Sequence, residues 1–376
     1  MRISINMKIL TAVLILLSLC GISSADIIYT TTDGQLGVIA VYSSSDISAP
    51  SVEYKSGISY PLLSSYWNGT STNVMLIENN KTASGDKAYV FNPEDLTKFS
   101  GSYDIAGVHG AENAGYAENG RSIFLTAGSK IFEVNTSQFK VINSYDCSRV
   151  VSDNVYGTEI QSIAVEYSTI NVLTYAGPKY KFVRFDGQLK EGVPYFMSSD
   201  VAIGASCLCI VNNIALLGHG SGVDGLSRQN RFERIISTDY PVRAICPDDE
   251  SSFYFATMHE TESGYEFLVA HPSNTELTTK LAPVTLISDY PYIQLVKDKT
   301  LNVLAVMTAE MILTFDMRTG RQSGIFDTAA LKGQPIGIAA ASVTGYSSKN
   351  GSSGCNSFGS IGLILTALTA MMFKRK

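Results

Sequence analysis

The chain is poor in the residues that mark common active sites. Tryptophan occurs once, at Trp67, and histidine only four times in 376 residues. Neither H-E-x-x-H nor C-x-x-C is present, which excludes the familiar short-range zinc pairs. G-x-S-x-G is also missing, so no serine is marked as a nucleophile on a strand-to-helix elbow. Between residues 26 and 341 no long stretch keeps an apolar period of 3.6, which excludes a helical bundle. Basic charge is scarce as well. Five of the 28 basic residues (Arg2, Lys8, Lys374, Arg375, Lys376) lie at the two ends, which hold no acids. The body therefore carries 23 basic against 34 acidic residues, a net charge of −11. Such a body lacks the basic footprint that a nucleic-acid partner needs.

What is present begins at the ends. A basic start (Arg2, Lys8), an apolar core from Ile9 to Leu19 and the small residues Ser23-Ser24-Ala25 have the layout of a secretory signal, residues 1–25, cut after Ala25 by signal peptidase. Cys20 invites a lipoprotein reading, which the bulk of Leu19 before it opposes. At the other end an apolar stretch, Phe358–Phe373, is bounded by Lys374-Arg375-Lys376. Its 16 residues fall short of the ~20 that cross the hydrocarbon core comfortably. The basic triplet stays cytoplasmic by the positive-inside rule, leaving the rest of the chain outside. The layout fits either a transient stop that is cut or a retained single span.

The body, 26–341, is written in short runs of Val, Ile, Tyr, Phe and Thr broken by Gly, Asn, Asp and Ser, a strand-and-turn signature. Strong strands start near Ile27, Val74, Ile123, Val172, Ile214, Phe253 and Val303. Their spacing clusters at ~40–50 residues, the range of four-stranded propeller blades. Third strands end in turns at Asn92-Pro93, Asp186-Gly187 and Asp316, where Asn and Asp tolerate left-handed backbone. The first unit lacks an inner strand, and Gln334–Ala340 is an inner strand with nothing after it. The expected fold is thus an all-β, seven-bladed β-propeller of four-stranded blades, the first completed by the C-terminal strand. Residues 342–354 are a Gly/Ser-rich spacer, and 355–376 a sorting or membrane-anchor segment.

Two resemblances follow from these residues. Ser352-Ser353-Gly354-Cys355-Asn356, with the apolar run and basic end, resembles the Cys-containing C-terminal sorting signals of bacterial surface proteins. The Synergist-CTERM type matches best, akin in layout to the GlyGly-CTERM and MYXO-CTERM tails. That resemblance implies a membrane-embedded sorting protease acting near Gly354-Cys355, with Cys355 an attachment point. It implies a chain held at the cell envelope or surface through its C-terminus. The segment Tyr116–Tyr145, with its Asn119-Gly120 turn, resembles YVTN-type and WD-repeat-like propellers in outline, though the Gly-His and Trp-Asp marks of WD repeats are missing. This implies a fold and no activity, since propellers serve many functions.

Candidate site residues come from loops. His219 and His259 follow second strands, and His109 leads into an inner strand, so all three belong to one face. Asp224, Glu260 and Glu112 accompany them, and imidazoles with carboxylates there could hold a divalent ion or move protons. Scattered surface histidines are the plainer alternative. Gly218–Arg234 is glycine-rich and then carries three arginines, Arg228, Arg231 and Arg234, a pattern that can cradle an anion; a blade loop whose arginines are ordinary surface charge is the other reading. Cys207 and Cys209 face one way on a strand, and Cys246 sits on the matching strand of the next blade. An exported chain can form a disulfide among them, and buried thiols are the other reading. No cofactor signature is present. The function expected is a non-enzymatic binding or interaction module whose ligand is a protein, glycan or small molecule. The alternative is an exported hydrolase or lyase using the histidines and acids of one face.

Overall fold

In a computed structural model of the chain, the described residues are 24–31, 36–42, 52–55, 61–67, 72–78, 85–92, 95–117, 121–151, 157–166, 169–176, 179–185, 189, 194, 196–198, 201, 204–248, 252–272, 284–298, 303–317, 319–327 and 335–342. Nearly all are strand or tight turn. The first three strands are β1 (Ser24–Thr31), β2 (Leu36–Tyr42) and β3 (Val52–Lys55). Then come β4 (Pro61–Trp67), β5 (Thr72–Glu78), β6 (Asp86–Asn92) and β7 (Asp95–Ile105). The next four are β8 (Asn113–Tyr116), β9 (Ser122–Ala127), β10 (Lys130–Asn135) and β11 (Lys140–Asp146). They are followed by β12 (Glu159–Glu166), β13 (Thr169–Ala176), β14 (Lys179–Phe185) and β15 (Phe196–Ser198). Next are β16 (Cys207–Val211), β17 (Ile214–His219), β18 (Gly222–Leu226) and β19 (Phe232–Ser237). The last full sets are β20 (Val242–Pro247), β21 (Phe253–Thr261), β22 (Gly264–Ala270) and β23 (Val284–Ser288), then β24 (Ile293–Asp298), β25 (Val303–Thr308), β26 (Met311–Asp316) and β27 (Arg321–Asp327). One strand is left over, β28 (Pro335–Ser342).

Among the described residues these strands form seven four-stranded antiparallel sheets. Six are consecutive meanders. The seventh has the order β28-β1-β2-β3 and so joins the two ends of the body. Ala25 pairs with Ser342, Ile27 with Ala340 and Tyr29 with Ile338. The innermost strands β28, β4, β8, β12, β16, β20 and β24 touch in succession, and β24 touches β28 again. That circuit is a propeller arrangement. The strong strands read from the sequence are β1, β5, β9, β13, β17, β21 and β25, each the second strand of its sheet.

Burial explains why those strands are the strongest. A second strand lies mid-sheet, and both its faces pack against neighbouring sheets, so its apolar run is continuous rather than alternating. All six residues of β25 are buried. The outermost β11 instead alternates between exposed and half-buried positions for most of its length. The core is divided into seams between successive sheets. One seam joins Tyr254, Phe267 and Val269 to Leu304, Leu313 and Phe315. Another joins Phe124, Ile131 and Tyr145 to Val172, Val183 and Phe185. Ala339 of β28 packs with Leu63, Leu76 and Phe91 and continues the series across the closing sheet.

Outer strands expose unpaired edges, and here most are kinked. The register of β7, β11, β19 and β27 slips against the third strand of its sheet. Such bulges twist an edge away from edge-to-edge pairing.

Residues 343–376 and 1–23 lie outside the described residues, and with them Cys20, Gly354 and Cys355. Ala25 is described, and it lies within β1. A cut after it leaves the strand its pairs from Asp26 to Thr30 with β2.

Candidate functional site

An innermost strand starts at one end of the ring, here called the upper end. Antiparallel order then puts second-to-third-strand turns and the connections between sheets at that same end. The other two turn classes lie at the lower end, where β1 begins and β28 finishes.

The upper end is held by one recurring device, in which a turn fixes the connection to the next sheet. Asp86 opens β6 and is buried. Its Oδ1 accepts from Gly110 N at 2.8 Å and its Oδ2 from Ala111 N at 2.6 Å. This carboxylate ties down the segment that carries His109, which is exposed. Glu310, in the β25–β26 turn of the last sheet before the closing one, holds instead the connection that enters its own sheet, its Oε1 accepting from Asp289 N at 3.0 Å. In the β9–β10 turn, Ser129 O accepts from Cys147 N at 2.9 Å, and Ser129 Oγ donates to Asp146 at 2.8 Å. Burial alone would raise the Asp146 carboxyl, but donation from Ser148 and Ser129 outweighs it and holds that carboxyl below its usual range.

His219 ends β17 and is fully buried. Its Nδ1 accepts from Ser221 N at 3.3 Å, which leaves the proton on Nε2. Nε2 lies 3.1 Å from Asp224 Oδ1 but is not aligned for a hydrogen bond to it. Asp224 instead accepts from Arg234 Nε at 2.5 Å, and the same guanidinium donates to Ser221 O at 2.8 Å. The sequence pointed to Arg228 and Arg231 beside His219, but the structure separates them. Both are exposed in the β18–β19 turn at the lower end, a full strand away from the β17–β18 turn. The arginine that reaches Asp224 is Arg234. It faces Asp224 across the sheet, a pairing visible only once the bulge in β19 is counted.

His259 was expected in a loop and lies in a strand. The β21–β22 hairpin extends to Thr261–Gly264, which keeps His259 paired to Glu266. Its ring stacks on Tyr240, with centroids 4.0 Å apart and planes 20° from parallel. Tyr240 precedes Pro241 in the connection to β20 and is 40% exposed. The next connection repeats the pattern with Asp289-Tyr290-Pro291, and Tyr290 is 46% exposed. Both tyrosine carbonyls accept a hydroxyl from the preceding Ser or Thr, Thr238 at 2.7 Å and Ser288 at 3.0 Å. Glu260 and Glu112 are exposed at this end too. His109, His219 and His259 therefore share an end of the ring, each with its own local partners. Among the described residues no three His, Cys, Asp or Glu side chains are placed to hold a metal.

Among the described residues none of Cys207, Cys209, Cys246 and Cys147 is in a disulfide, so the one open to the first three is not formed. Cys207 and Cys209 are two apart on β16, and side chains at that spacing project in parallel rather than toward one another. Cys209 and Cys246 each pack into an apolar seam. Burial pushes the Cys147 and Cys207 thiols up to about 12, and that of Cys209 well above its usual value.

The lower end holds a cluster that loop-by-loop reading of the sequence passed over. Asp248, just after β20, is buried and paired with Lys297 Nζ of β24, which also donates to the Asp248 carbonyl oxygen. His271, just after β22, puts Nε2 3.3 Å from Asp248 Oδ2 and 2.5 Å from Ser252 Oγ. Serine, histidine and aspartate meet here, but Ser252 and Asp248 approach the same ring nitrogen. A relay needs them on opposite nitrogens, so this is not a triad.

No family model matches the chain, and neither does any curated protein. Solved structures do. A candidate 6-phosphogluconolactonase of Bacteroides uniformis aligns with a TM-score of 0.58 at 13% identity, over 85% of this chain and 99% of that one. AztD from Citrobacter koseri gives 0.52 at 10% identity, over 86% and 100%. The WD40 repeats of RRP9 give 0.48 at 8%, over 70% and 78%. The likeness to the first two is one of fold. It supports the propeller arrangement and carries no substrate or ligand across.

Proposed function

We propose that the seven sheets are the blades of one ring that serves as an exported, surface-tethered, non-enzymatic binding module, and that its ligand, a protein, glycan or small molecule, is taken at the upper end. The observation that carries this reading is where the last strand of the ring ends. β28 finishes at Ser342 beside Ala25, both at the lower end. Ser342 thus lies at the end opposite the one that carries exposed Tyr240 and Tyr290 and the His259 stack. Exposed aromatic rings on rigid turns are the kind of group that dominates binding energy in interfaces. Export, cleavage after Ala25 and processing near Gly354-Cys355 belong to the same proposal.

Cells expressing the full chain, and cells expressing a chain stopped after Gly354, test it together with a Tyr240→Ala/Tyr290→Ala variant. The full chain is expected in the envelope fraction and the shortened one in the medium. Envelope-fraction protein is then screened against glycans and surface proteins of its own host. The double variant is expected to keep its fold and lose at least about tenfold in affinity for whatever is retained. Equal retention by the double variant, with loss instead on Arg228→Ala/Arg231→Ala, would place the ligand at the wrong end and sink the reading.

A further inference from the structure

We propose that Lys297 and Asp248 condense to an internal amide, a covalent staple between two successive blades. The two side chains touch, and their relative exposures are 6% and 7%. Lys297 comes from β24 and Asp248 follows β20, adjacent innermost strands, so a bond between them crosses the seam lined by Tyr254, Phe267 and Leu304. The second contact, from Nζ to the carbonyl oxygen of Asp248, fixes the amine against the carboxyl it would attack.

The driving force is electrostatic. An ion pair taken out of water keeps the desolvation cost of both charges. An amide has no net charge, so condensation removes one buried cation and one buried anion together. The step balances without another reactant. Lys297 Nζ adds to Asp248 Cγ, the Cγ–Oδ2 bond breaks, and Oδ2 departs as water with the two protons that the ammonium group loses. His271 supplies the route for those protons, since its Nε2 stands 3.3 Å from Oδ2, and Ser252 Oγ hydrogen-bonds the same nitrogen at 2.5 Å. Such a staple does for this ring what a disulfide does for exported domains, in a chain whose four body cysteines form no disulfide.

Intact mass of the full chain, purified folded and then denatured, reads the bond directly. The expected value is lower by the mass of one water than that of the same chain uncondensed. Tryptic digestion is expected to release a branched peptide joining the segments that hold Asp248 and Lys297. Lys297→Arg keeps the charge but gives up the amine nucleophile, and should return the full mass. His271→Gln should slow formation by at least about a hundredfold, the usual scale of lost acid–base help. A wild-type chain of full mass, or a missing water that persists in Lys297→Arg, overturns the proposal. A His271→Gln chain that condenses at the wild-type rate overturns the proton route.

Discussion

Single side chains in this ring are tuned by burial more than by partners. The Cys147, Cys207 and Cys209 thiols are the clearest case, since desolvation disfavours their thiolates. At pH 8 these three are expected to resist iodoacetamide in the native chain and to react within the same time in denaturant without added reductant. The sign of the stability effect follows. A thiol raised above its unfolded value stabilises the fold fully below about pH 8.5. That contribution fades as pH rises toward the folded value of about 12 for Cys147 and Cys207. Urea midpoints should therefore fall between pH 8.5 and 11, and Cys147→Ala should flatten part of that slope. Asp86 contributes through its hydrogen-bond partners. Asp86→Ala leaves the buried Gly110 and Ala111 amides without an acceptor. The expected loss is about 2–4 kcal/mol in urea unfolding.

At the scale of strands and turns, tight backbone passages set the limits. Gly222 opens β18 with φ of 149°, and a Cβ there would stand 2.0 Å from Ile236 O. Gly222→Ala should cost about 2–3 kcal/mol by thermal or urea unfolding. Gly128, with φ of 56° and open space around it, should lose less on the same change. This scale also separates what the sequence disclosed from what it hid. Second strands were legible because burial on both faces writes a nearly unbroken apolar run, as in Val-Leu-Ala-Val-Met of β25. Turn chemistry marked β6, β14 and β26. Placement of Arg228 and Arg231 was not legible, because neighbours in sequence are set apart by the full length of β18. His259 was misplaced by two hairpin pairs. The Asp248–Ser252–His271–Lys297 cluster draws on two separate turns and a strand of the next blade, and no spacing rule joins residues that only ring geometry brings together.

For the whole molecule, the last strand decides whether a ring exists. A chain stopped before Gln334 loses β28, and with it the inner strand of the β1–β3 sheet and the packing of Ala339. It should melt without a single cooperative transition and be cut rapidly by protease. Stopping after Gly345 retains every described strand and should leave the melting temperature within about 2 °C of the longer chain. The pairing of β1 with β28 was readable from a first unit short of one strand and a final strand short of a unit.

That latch has a consequence in time. Asp26 and Ala341 are partners, so the ring cannot shut until residue 341 has been made and released. Six sheets can assemble as they emerge, while β1 waits with one side bare until the far terminus arrives. Loops of that length close slowly. The vulnerable interval is therefore the one between the emergence of the first residues and the last, when the waiting strand is open to any other extended segment nearby.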